Sequence, residues 1–368
     1  MKARGIDVVS FAAGEPDFNT PQPIRQAAIE AIEAGFTKYT PSSGIDALKE
    51  AVSEKLARDN GVKVTPQQVV VSCGAKQSVY NAMQVLLNEG DEVILVAPYW
   101  MTYAEQVWLA GGKVVVVHTD ARSGFVPHYD QLKAAVTRKT KAIIVNSPSN
   151  PTGAVWPRET IKQIAALALR RGFWVVADEI YEKLVYGAEH VSIASLGSDI
   201  AEQTITVNGC SKTYAMTGWR IGYAAAPCLV AKAMSNLQDQ VTSNPTSFAQ
   251  KGAVVALGMP PTDVELMRSE FHARRDLICR LLTQIPGVSL TPPAGAFYVF
   301  PDFSAYLGGA IRDDFALAEH LLEHAKVATI PGEVFEGPGH LRLTYATGRA
   351  DIEKGVARIA EALQKLPA

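Results

Sequence analysis

Two cationic residues that lie close together in the sequence, Lys212 and Arg220, form a pair that could do chemistry. Lys212 sits among small and hydroxyl-bearing residues, and apolar residues surround both cations. Because burial disfavours an ammonium ion, a lysine in such surroundings can lose its proton near neutral pH. The neutral amine can then form an imine with a carbonyl group, and the arginine can bind an anionic part of the same ligand. The plain alternative is that Lys212 is a surface lysine after a turn.

A turn between a predicted strand and a predicted helix is a candidate anion site. Val69–Cys73 is a continuous apolar, largely β-branched run, which is typical of a buried strand. Gly74, Ala75 and Lys76 follow it, and a helix is predicted from about Gln77 to Leu87. Backbone N–H groups at the start of a helix bind anions, so this turn could hold a phosphate. The turn matches neither the dinucleotide-binding glycine pattern nor a Walker loop, which disfavours a dinucleotide.

Two further predicted strands end in side chains that suit a flat, polar ligand. Trp100 follows the strand Glu92–Ala97, at the end of the strand where open α/β sheets bind ligands, and it could stack on a heteroaromatic ring. Asn150 follows the strand Lys141–Val145 and precedes a proline, which favours an extended backbone and lets the amide project from the turn. That amide could donate to a phenolate oxygen or a carboxylate. Alternatively, Trp100 is a core or interface aromatic and Asn150 only caps its turn.

An aspartate follows the most apolar of these strands. Asp178 comes directly after Phe173–Ala177, where a carboxylate is unfavourable unless it meets a cation. A protonated pyridine nitrogen would be such a cation. Alternatively, Asp178 only caps the segment that leads to Tyr181.

Three residues elsewhere complete the candidate set. Gly14 lies in a turn with a proline and would let a ligand approach the backbone closely. Tyr39 lies in a loop of turn-forming residues. Arg342 is flanked by leucines on the predicted strand His340–Tyr345, where an inward-pointing guanidinium would bind a carboxylate with two hydrogen bonds. The open alternatives are a plain turn for Gly14 and an inter-strand salt bridge for Arg342.

The composition is that of a globular protein. The chain has 368 residues, of which 48% are hydrophobic and 20% charged, enough for a large core and a smaller one. The net charge is −2, with neither a basic stripe nor a cationic amphipathic helix, so we expect no nucleic-acid and no membrane partner. The four cysteines form no C-x-x-C pair, which is typical of free thiols in a reducing compartment. There is no signal-like start and no membrane-spanning run, so we expect a cytoplasmic protein, and we assign no metal site.

Strands and helices alternate along the first part of the chain. This alternation predicts an α/β fold with a mostly parallel central sheet and helices on both faces. Long helical patterns follow over Leu229–Asp239 and Val264–Gln284, and a smaller α+β unit begins after Pro286. We therefore expect a large domain of residues 35–285 and a small domain of residues 1–34 and 286–368.

Taken together, these segments resemble the fold-type I, class I pyridoxal-phosphate aminotransferases over nearly the whole chain. The matching segments are Gly14-Glu-Pro-Asp-Phe18, Asn150-Pro-Thr-Gly153, Asp178-Glu-Ile-Tyr181 and Ser211-Lys212 through Trp219-Arg220-Ile-Gly222. The sequence is most similar to the bacterial aspartate aminotransferases that carry Gly-(Gly/Ala)-Lys-Gln, a motif found here at Gly74–Gln77. The resemblance implies pyridoxal 5′-phosphate as cofactor and a homodimer with shared active sites.

The resemblance also implies a role for each candidate residue. Lys212 would be the Schiff-base lysine and proton shuttle, and Asp178 would keep the pyridine nitrogen protonated. Tyr181 and Asn150 would donate to the 3-oxygen of the ring, on which Trp100 would stack. The phosphate contacts that it implies are Gly74, Ala75, Lys76, Ser211 and Arg220, with Tyr39 of the partner subunit. The substrate contacts that it implies are Gly14, Lys76, Trp100, Asn150 and Arg342.

The activity implied is transfer of the amino group of L-aspartate to a 2-oxo acid such as 2-oxoglutarate, giving oxaloacetate and L-glutamate. The family does this in two half-reactions, through an internal aldimine on the lysine and a pyridoxamine phosphate intermediate. Lys76 would meet the distal carboxylate, and its ammonium is a looser partner than a guanidinium, which would admit prephenate or aromatic 2-oxo acids.

Other activities on the same scaffold stay open, because a fold does not fix a reaction. They are a prephenate, aromatic or kynurenine-type aminotransferase and a C–S β-lyase. A cofactor-binding regulator is disfavoured, because the chain has neither the room nor a basic helix for a DNA-binding domain.

The sequence departs from the family at two places. Positions 209 and 210 are Gly and Cys, so we expect Ser211 alone to supply the phosphate hydroxyl on this side. Relatives have an N-terminal segment that reaches over the partner subunit, and the chain begins after it. We therefore expect the dimer contact and part of the substrate pocket to differ.

Overall fold

A large, mostly parallel sheet and a smaller antiparallel sheet organise the chain. The computed structural model describes residues 1 and 4–366, so residues 2, 3, 367 and 368 of the expected small domain lie outside the described residues. The strands are β1 (Val9–Ser10), β2 (Val69–Ser72), β3 (Glu92–Ala97), β4 (Lys113–His118), β5 (Thr140–Asn146), β6 (Trp174–Asp178), β7 (Thr204–Gly209), β8 (Gly222–Ala225), β9 (Tyr298–Val299), β10 (Val327–Ala328), β11 (Ile330–Pro331) and β12 (Leu341–Thr344). The helices are α1 (Gln22–Glu33), α2 (Asp46–Lys55), α3 (Ala75–Leu86), α4 (Thr102–Leu109), α5 (Tyr129–Ala135), α6 (Arg158–Arg171), α7 (Ser198–Ala201), α8 (Cys228–Val241), α9 (Ser247–Gly258), α10 (Thr262–Leu282), α11 (Asp314–His320) and α12 (Arg349–Gln364).

The seven-stranded sheet has the order β2-β8-β7-β6-β5-β3-β4. The strands from β7 to β4 are parallel, and β8 runs antiparallel to both of its neighbours. Helices cover both faces: Ile94 and Val96 of β3 belong to the same core cluster as α6, whereas Val93 and Leu95 belong to the cluster of α3 and α4. The predicted α/β fold with a mostly parallel sheet is therefore confirmed.

Helix α6 illustrates how the local sequence sets the bounds of an element. Pro157 precedes it, Glu159 lies in its first turn, and Arg170 and Arg171 lie in its last turn, so its charges complement the helix dipole. Gly172 ends the helix with φ of 74°, a left-handed conformation that glycine adopts without strain. The local sequence therefore accounts for both ends of this helix.

A separate two-stranded sheet joins the N-terminal segment to the C-terminal part of the chain. In it β1 pairs in parallel with β10, with Val9 opposite Val327, whereas β12 lies between β11 and β9 in the smaller antiparallel sheet. Phe271 of α10 and Ile359 of α12 are fully buried in the core beside these strands. The N-terminal segment therefore packs with the C-terminal part of the chain.

Some elements were not predicted from the sequence. Helices α4, α5 and α9 and strand β8 lie in stretches to which no element was assigned. The sequence of β8, Gly-Tyr-Ala-Ala, has no β-branched residue, and β2 and β7 hold it in the sheet from both sides. Gly222 is required there, because a side chain would collide with the backbone of Gly74 and Ala75. None of the described helices is long and apolar enough to cross a membrane.

Candidate active site

A cavity of about 500 Å³ lies at the carboxyl ends of the parallel strands, beside the N-terminal segment and β12. The predicted site residues that line it are Gly14, Ala75, Lys76, Trp100, Asn150, Asp178, Tyr181, Ser211, Lys212, Arg220 and Arg342. Gly74 lies directly behind the guanidinium of Arg220. Tyr39 does not line the cavity of its own chain, and its side chain is 91% exposed. The structure therefore brings together every predicted site residue except Tyr39.

Lys212 lies in surroundings that favour the neutral amine. Burial lowers the pKa of Lys212 to about 8, against the opposing effect of the Glu15 carboxylate. The Lys212 ammonium donates a hydrogen bond of 2.5 Å to the carbonyl oxygen of Gly14, and the rings of Tyr181 and Phe297 lie within 6 Å of its nitrogen. A lysine with this pKa releases its proton far more readily than an exposed lysine, and the neutral amine can act as a nucleophile or a base.

Asp178 is a buried carboxyl group at the end of β6. Its side chain is 3% exposed, and burial raises its pKa to about 6. Two donors oppose this rise: the Tyr103 phenol lies 2.7 Å from Oδ2, and the Ile180 amide lies 3.2 Å from Oδ1. The carboxylate thus has neutral hydrogen-bond donors, forms no salt bridge with any described residue, and faces the cavity. A cation in the cavity would favour its ionised form.

Tyr181 and Tyr298 form a pair of phenols next to Asp178. Their oxygens lie 3.0 Å apart, and both side chains are buried. Burial raises the pKa of Tyr181 well above its usual range, so its hydroxyl group stays protonated. The Tyr181 phenol can therefore donate a hydrogen bond to a ligand oxygen.

Arg342 is a buried cation that has no carboxylate partner in the part of the chain that the structure describes. Its side chain is 7% exposed and donates to Asn150 Oδ1 (3.0 Å) and to the Ala12 carbonyl oxygen (2.9 Å). The guanidinium carbon lies 4.5 Å from the ring centroid of Tyr298 and 5.1 Å from that of Phe335. Nε has no hydrogen-bond partner among the described residues. The inter-strand salt bridge that the sequence left open is not formed, and the guanidinium is available for an anion from the cavity.

The predicted anion turn has the expected geometry. Helix α3 starts at Ala75, and Gly74 precedes it with φ of 87°. Arg220 lies over this turn in a left-handed conformation, with φ of 55°, and donates to the carbonyl oxygens of Thr217 (3.0 Å) and Cys73 (3.4 Å). The free N–H groups of α3 and this guanidinium make the end of the cavity a site for a phosphate-sized anion.

Lys76 and Trp100 lie near each other on the cavity wall. The Lys76 nitrogen is 4.8 Å from the centroid of the Trp100 ring. Lys76 is exposed, whereas Trp100 is half-buried and makes an edge contact with Tyr103 at 5.3 Å between centroids. The ring therefore has a fixed orientation, and the ammonium has freedom to move.

Among the cavity residues that sequence reasoning missed are Glu15, Tyr103, Asn146 and Tyr298. Tyr103 lies in the first turn of α4, and no pattern in the sequence distinguished it from a core aromatic residue. Asn146 ends β5, its side chain donates to the Asp178 carbonyl oxygen (3.1 Å), and its side-chain oxygen accepts from the backbone N–H of Asn150 (2.9 Å). Tyr298 lies far along the sequence, and no local signal joins it to the other residues.

Comparison with known proteins identifies the family. A sequence model described as "Aminotransferase class I and II" matches residues 6–359. The chain belongs to this family. The resemblance to class I aminotransferases that the sequence motifs carry is thereby confirmed, and the protein is an aminotransferase.

Several relatives of this aminotransferase match nearly its whole length. The aspartate aminotransferase of Geobacillus stearothermophilus is 50% identical over 363 residues, which cover 98% of this chain and 92% of the relative. A probable aspartate/prephenate aminotransferase of Aquifex aeolicus is 48% identical and covers 100% of this chain and 93% of its own length. The structure of the Thermus thermophilus aspartate aminotransferase with maleate has a TM-score of 0.94 at 44% identity, covering 98% of this aminotransferase and 93% of that chain.

Proposed function

We propose that this aminotransferase moves the amino group of L-aspartate to a 2-oxo acid such as 2-oxoglutarate, with pyridoxal 5′-phosphate as its cofactor. The observation that carries the proposal is the placement of a buried, easily deprotonated Lys212 and a buried carboxyl group, Asp178, in one cavity. The Geobacillus relative, named aspartate aminotransferase, supports the choice of donor.

The residues that line the cavity are suited to bind each part of this cofactor. The start of α3, Ser211 and Arg220 suit its phosphate, and the side chain of Trp100 suits the face of its ring. Asp178 is a buried carboxylate whose ionised form a protonated ring nitrogen would favour. Tyr181 can donate to the 3-oxygen, as we propose for Asn150 as well.

The protein groups then do the following work. The bound cofactor supplies an electron sink for negative charge that develops at the Cα of the amino acid. Asp178 would accept a hydrogen bond from the protonated ring nitrogen and so keep that proton in place. Lys212 would be the base that takes the proton from Cα and the acid that returns it. Trp100 and Tyr181 would hold the ring and so orient the substrate towards the lysine.

Arg342 and Lys76 would bind the two carboxylates of aspartate. Arg342 is buried, held by Asn150 and Ala12, and lacks an anion, so we assign it the α-carboxylate beside Gly14. Lys76 is exposed on the cavity wall, so we assign it the distal carboxylate. A mobile ammonium tolerates more acceptor shapes than a fixed guanidinium. This freedom makes prephenate the second candidate acceptor. The name of the Aquifex relative, probable aspartate/prephenate aminotransferase, supports the same choice.

We also propose a homodimer with shared active sites. Tyr39 is 91% exposed and lies outside the cavity of its own chain, as a residue that serves the cavity of a partner would. The phosphate end of the cavity would then receive Tyr39 of the partner subunit.

A single half-reaction tests the proposal. Protein loaded with pyridoxal phosphate is mixed with L-aspartate in the absence of an acceptor, and the visible absorption band of the bound cofactor is followed. We expect the band to disappear with release of one oxaloacetate per site. Lys212→Ala should lose turnover by more than about a thousandfold, whereas Lys232→Ala, an exposed lysine on α8, should not.

The outcomes separate the parts of the proposal. A band that aspartate leaves unchanged but that phenylalanine removes would keep the chemistry and overturn the role of Lys76. Pyruvate and ammonia from cystathionine would instead indicate a C–S lyase. Wild-type protein that forms no visible band would overturn the cofactor and the role of Lys212.

A further inference from the structure

The segment 178–182, Asp-Glu-Ile-Tyr-Glu, has two sides. Asp178 and Tyr181 line the active-site cavity, whereas Glu179 and Glu182 do not. The two glutamates are nevertheless buried, at 3% and 6% exposed. Buried carboxylates need cations or hydrogen-bond donors, so the back of this segment must have partners of its own.

Those partners come from the end of helix α2. The side chain of Lys55, which is 2% exposed, forms a salt bridge with Glu182 and donates to Asn60 Oδ1 at 2.7 Å. The amide of Asn60 donates to Glu179 Oε2 at 3.1 Å and also to Glu182. Asn60 thus bridges the two carboxylates, and Lys55 neutralises one of them.

His190 lies beside Glu179 on the other side of the network. Its Nε2 lies 3.4 Å from Glu179 Oε2, and its side chain is 11% exposed. Burial alone would lower the pKa of His190, but the contact with Glu179 and the charge of Glu182 outweigh burial and raise it. When His190 is protonated, two cations balance two carboxylates behind the active site.

A local irregularity of the backbone makes the network possible. In a regular α-helix, residues five apart are rotated by about 140° and face different sides. After Lys55, however, residues Leu56–Asn60 form a π-helical turn, which Gly61 ends with φ of 66°. The wider turn brings Asn60 next to Lys55. The backbone thus departs from regular α-helical geometry at the point where the side chains of Lys55 and Asn60 contact Glu182.

We propose that Lys55, Asn60 and His190 are positioning residues, which hold Asp178 and Tyr181 in place from behind the active site. This inference rests on the proposed function, because it concerns how the cofactor contacts are oriented. Glu179, Glu182 and His190 lie close enough together to suggest a metal site. Lys55 and Asn60 already contact these carboxylates, and we assign the cluster to a hydrogen-bond and charge network rather than to a metal ion.

A double-mutant cycle tests the inference. Its members are the wild type, Lys55→Met, Glu182→Gln and the double variant, in which no buried charge is left unpaired. Lys49→Met is the matched control, because Lys49 lies on the same helix and pairs with the exposed Asp46. Cofactor binding is measured as the dissociation constant of pyridoxal phosphate and as the visible circular dichroism of the bound cofactor. Stability is measured as the melting temperature of the cofactor-free protein.

We expect Lys55→Met to weaken cofactor binding about tenfold or more and to change the dichroism, because the segment moves. The double variant should recover most of the affinity, and Lys49→Met should match the wild type. A coupling that appears in the melting temperature but not in cofactor affinity would mean a purely structural role and would overturn the inference. If Lys55→Met does not fold, His190→Gln and Glu179→Gln form the same cycle, with the same two outcomes.

The test separates this inference from the proposed function. Wild-type protein without a visible cofactor band would overturn the proposed function itself. A normal wild-type band, with no coupling in cofactor affinity, would overturn only the positioning role.

Discussion

Tyr103 donates a hydrogen bond to Asp178, with 2.7 Å between the phenol oxygen and Oδ2, and both side chains are buried. Burial raises the pKa of Asp178 to about 6, and this hydrogen bond is the largest effect that opposes the rise. The pKa of Tyr103 is itself raised well above its usual range by burial, so the phenol remains a donor. The charge of Asp178 near neutral pH therefore depends on a balance between burial and one phenol group.

In the cofactor-free protein, Tyr103→Phe should raise the pKa of Asp178 by about one to two units, because a hydrogen bond to an ionised group contributes about 1.5–3 kcal/mol. The pH range over which Asp178 loses its proton should then move upward, and the pH dependence of stability to chemical denaturation measures this shift. Tyr186→Phe is the control, since Tyr186 is also buried but donates to the Ala296 carbonyl oxygen (2.6 Å). An unchanged pH dependence would show that the phenol does not set the acidity of Asp178.

Asp178→Asn should stabilise the cofactor-free protein at pH 7.5. The pKa of Asp178 is raised from 3.8 to about 6, a difference of about two units (6 − 3.8), or about 3 kcal/mol. A raised carboxyl pKa means that the folded state binds the proton more tightly, so stability falls as pH rises from about 4 to about 6 and stays lower above.

Chemical denaturation of both proteins at pH 4 and pH 7.5 checks this prediction. We expect the variant to be more stable by about 1–3 kcal/mol at pH 7.5 and the difference to vanish near pH 4. Transamination by the same variant should be lost. Equal stability at both pH values would contradict the burial argument.

The sequence was informative where short-range patterns determine the structure. The apolar runs that predict β3, β5 and β6 also place Trp100 and Asp178 at strand ends. Parallel strands bring these ends to one edge of the sheet, so the alternation of strands and helices accounts for the proximity of Trp100, Asn150 and Asp178. The other site residues were assigned through the resemblance to the family.

Contacts between residues that are far apart in the sequence could not be predicted in this way. Tyr181 and Tyr298 are 117 positions apart, and only the docking of the smaller sheet brings their phenols together. The π-helical turn Leu56–Asn60 also has no signal in the local sequence, and the partners that it brings to Glu182 come from a distant part of the chain. Strand β8 was missed because its small residues carry no strand propensity.

Glu15→Gln should lower the pKa of Lys212 further. Burial lowers this pKa to about 8, and Glu15 is the largest effect in the opposite direction. Glutamine can still accept the hydrogen bond of 2.9 Å from Thr217 Oγ1, so the change removes mainly charge. Because Glu15 is exposed and screened, we expect a shift of about half a unit.

The pH dependence of the rate of cofactor association measures this shift, since only the neutral amine attacks the aldehyde. The midpoint should move to lower pH, and association at pH 7 should become faster. Asp17→Asn is the control, because Asp17 pairs with Arg274 instead. A midpoint that moves upward would have the wrong sign and would contradict the assignment.

Arg342→Lys should weaken binding of the amino acid but not of the cofactor. The guanidinium is held by Asn150 and Ala12 and by the rings of Tyr298 and Phe335, and an ammonium cannot reproduce this planar fork. We expect kcat/KM for L-aspartate to fall about 30-fold or more, mainly through KM. The dissociation constant of pyridoxal phosphate should stay within about twofold of the wild type, as expected if Arg342 contacts only the substrate. Equal losses for cofactor and substrate would mean that Arg342 supports the cavity rather than the α-carboxylate.

Gly74→Ala should weaken the phosphate end of the site. Gly74 has φ of 87°, and a side chain there would collide with the guanidinium of Arg220. Gly90→Ala is a matched control, because Gly90 has φ of 82° but open space around it. Both variants should lose about 1–2 kcal/mol of stability through backbone strain.

Only Gly74→Ala should also displace Arg220 and weaken pyridoxal phosphate binding, by about tenfold or more, measured by titration of the visible band. If the two variants bind the cofactor equally well, Arg220 does not hold the phosphate against this turn.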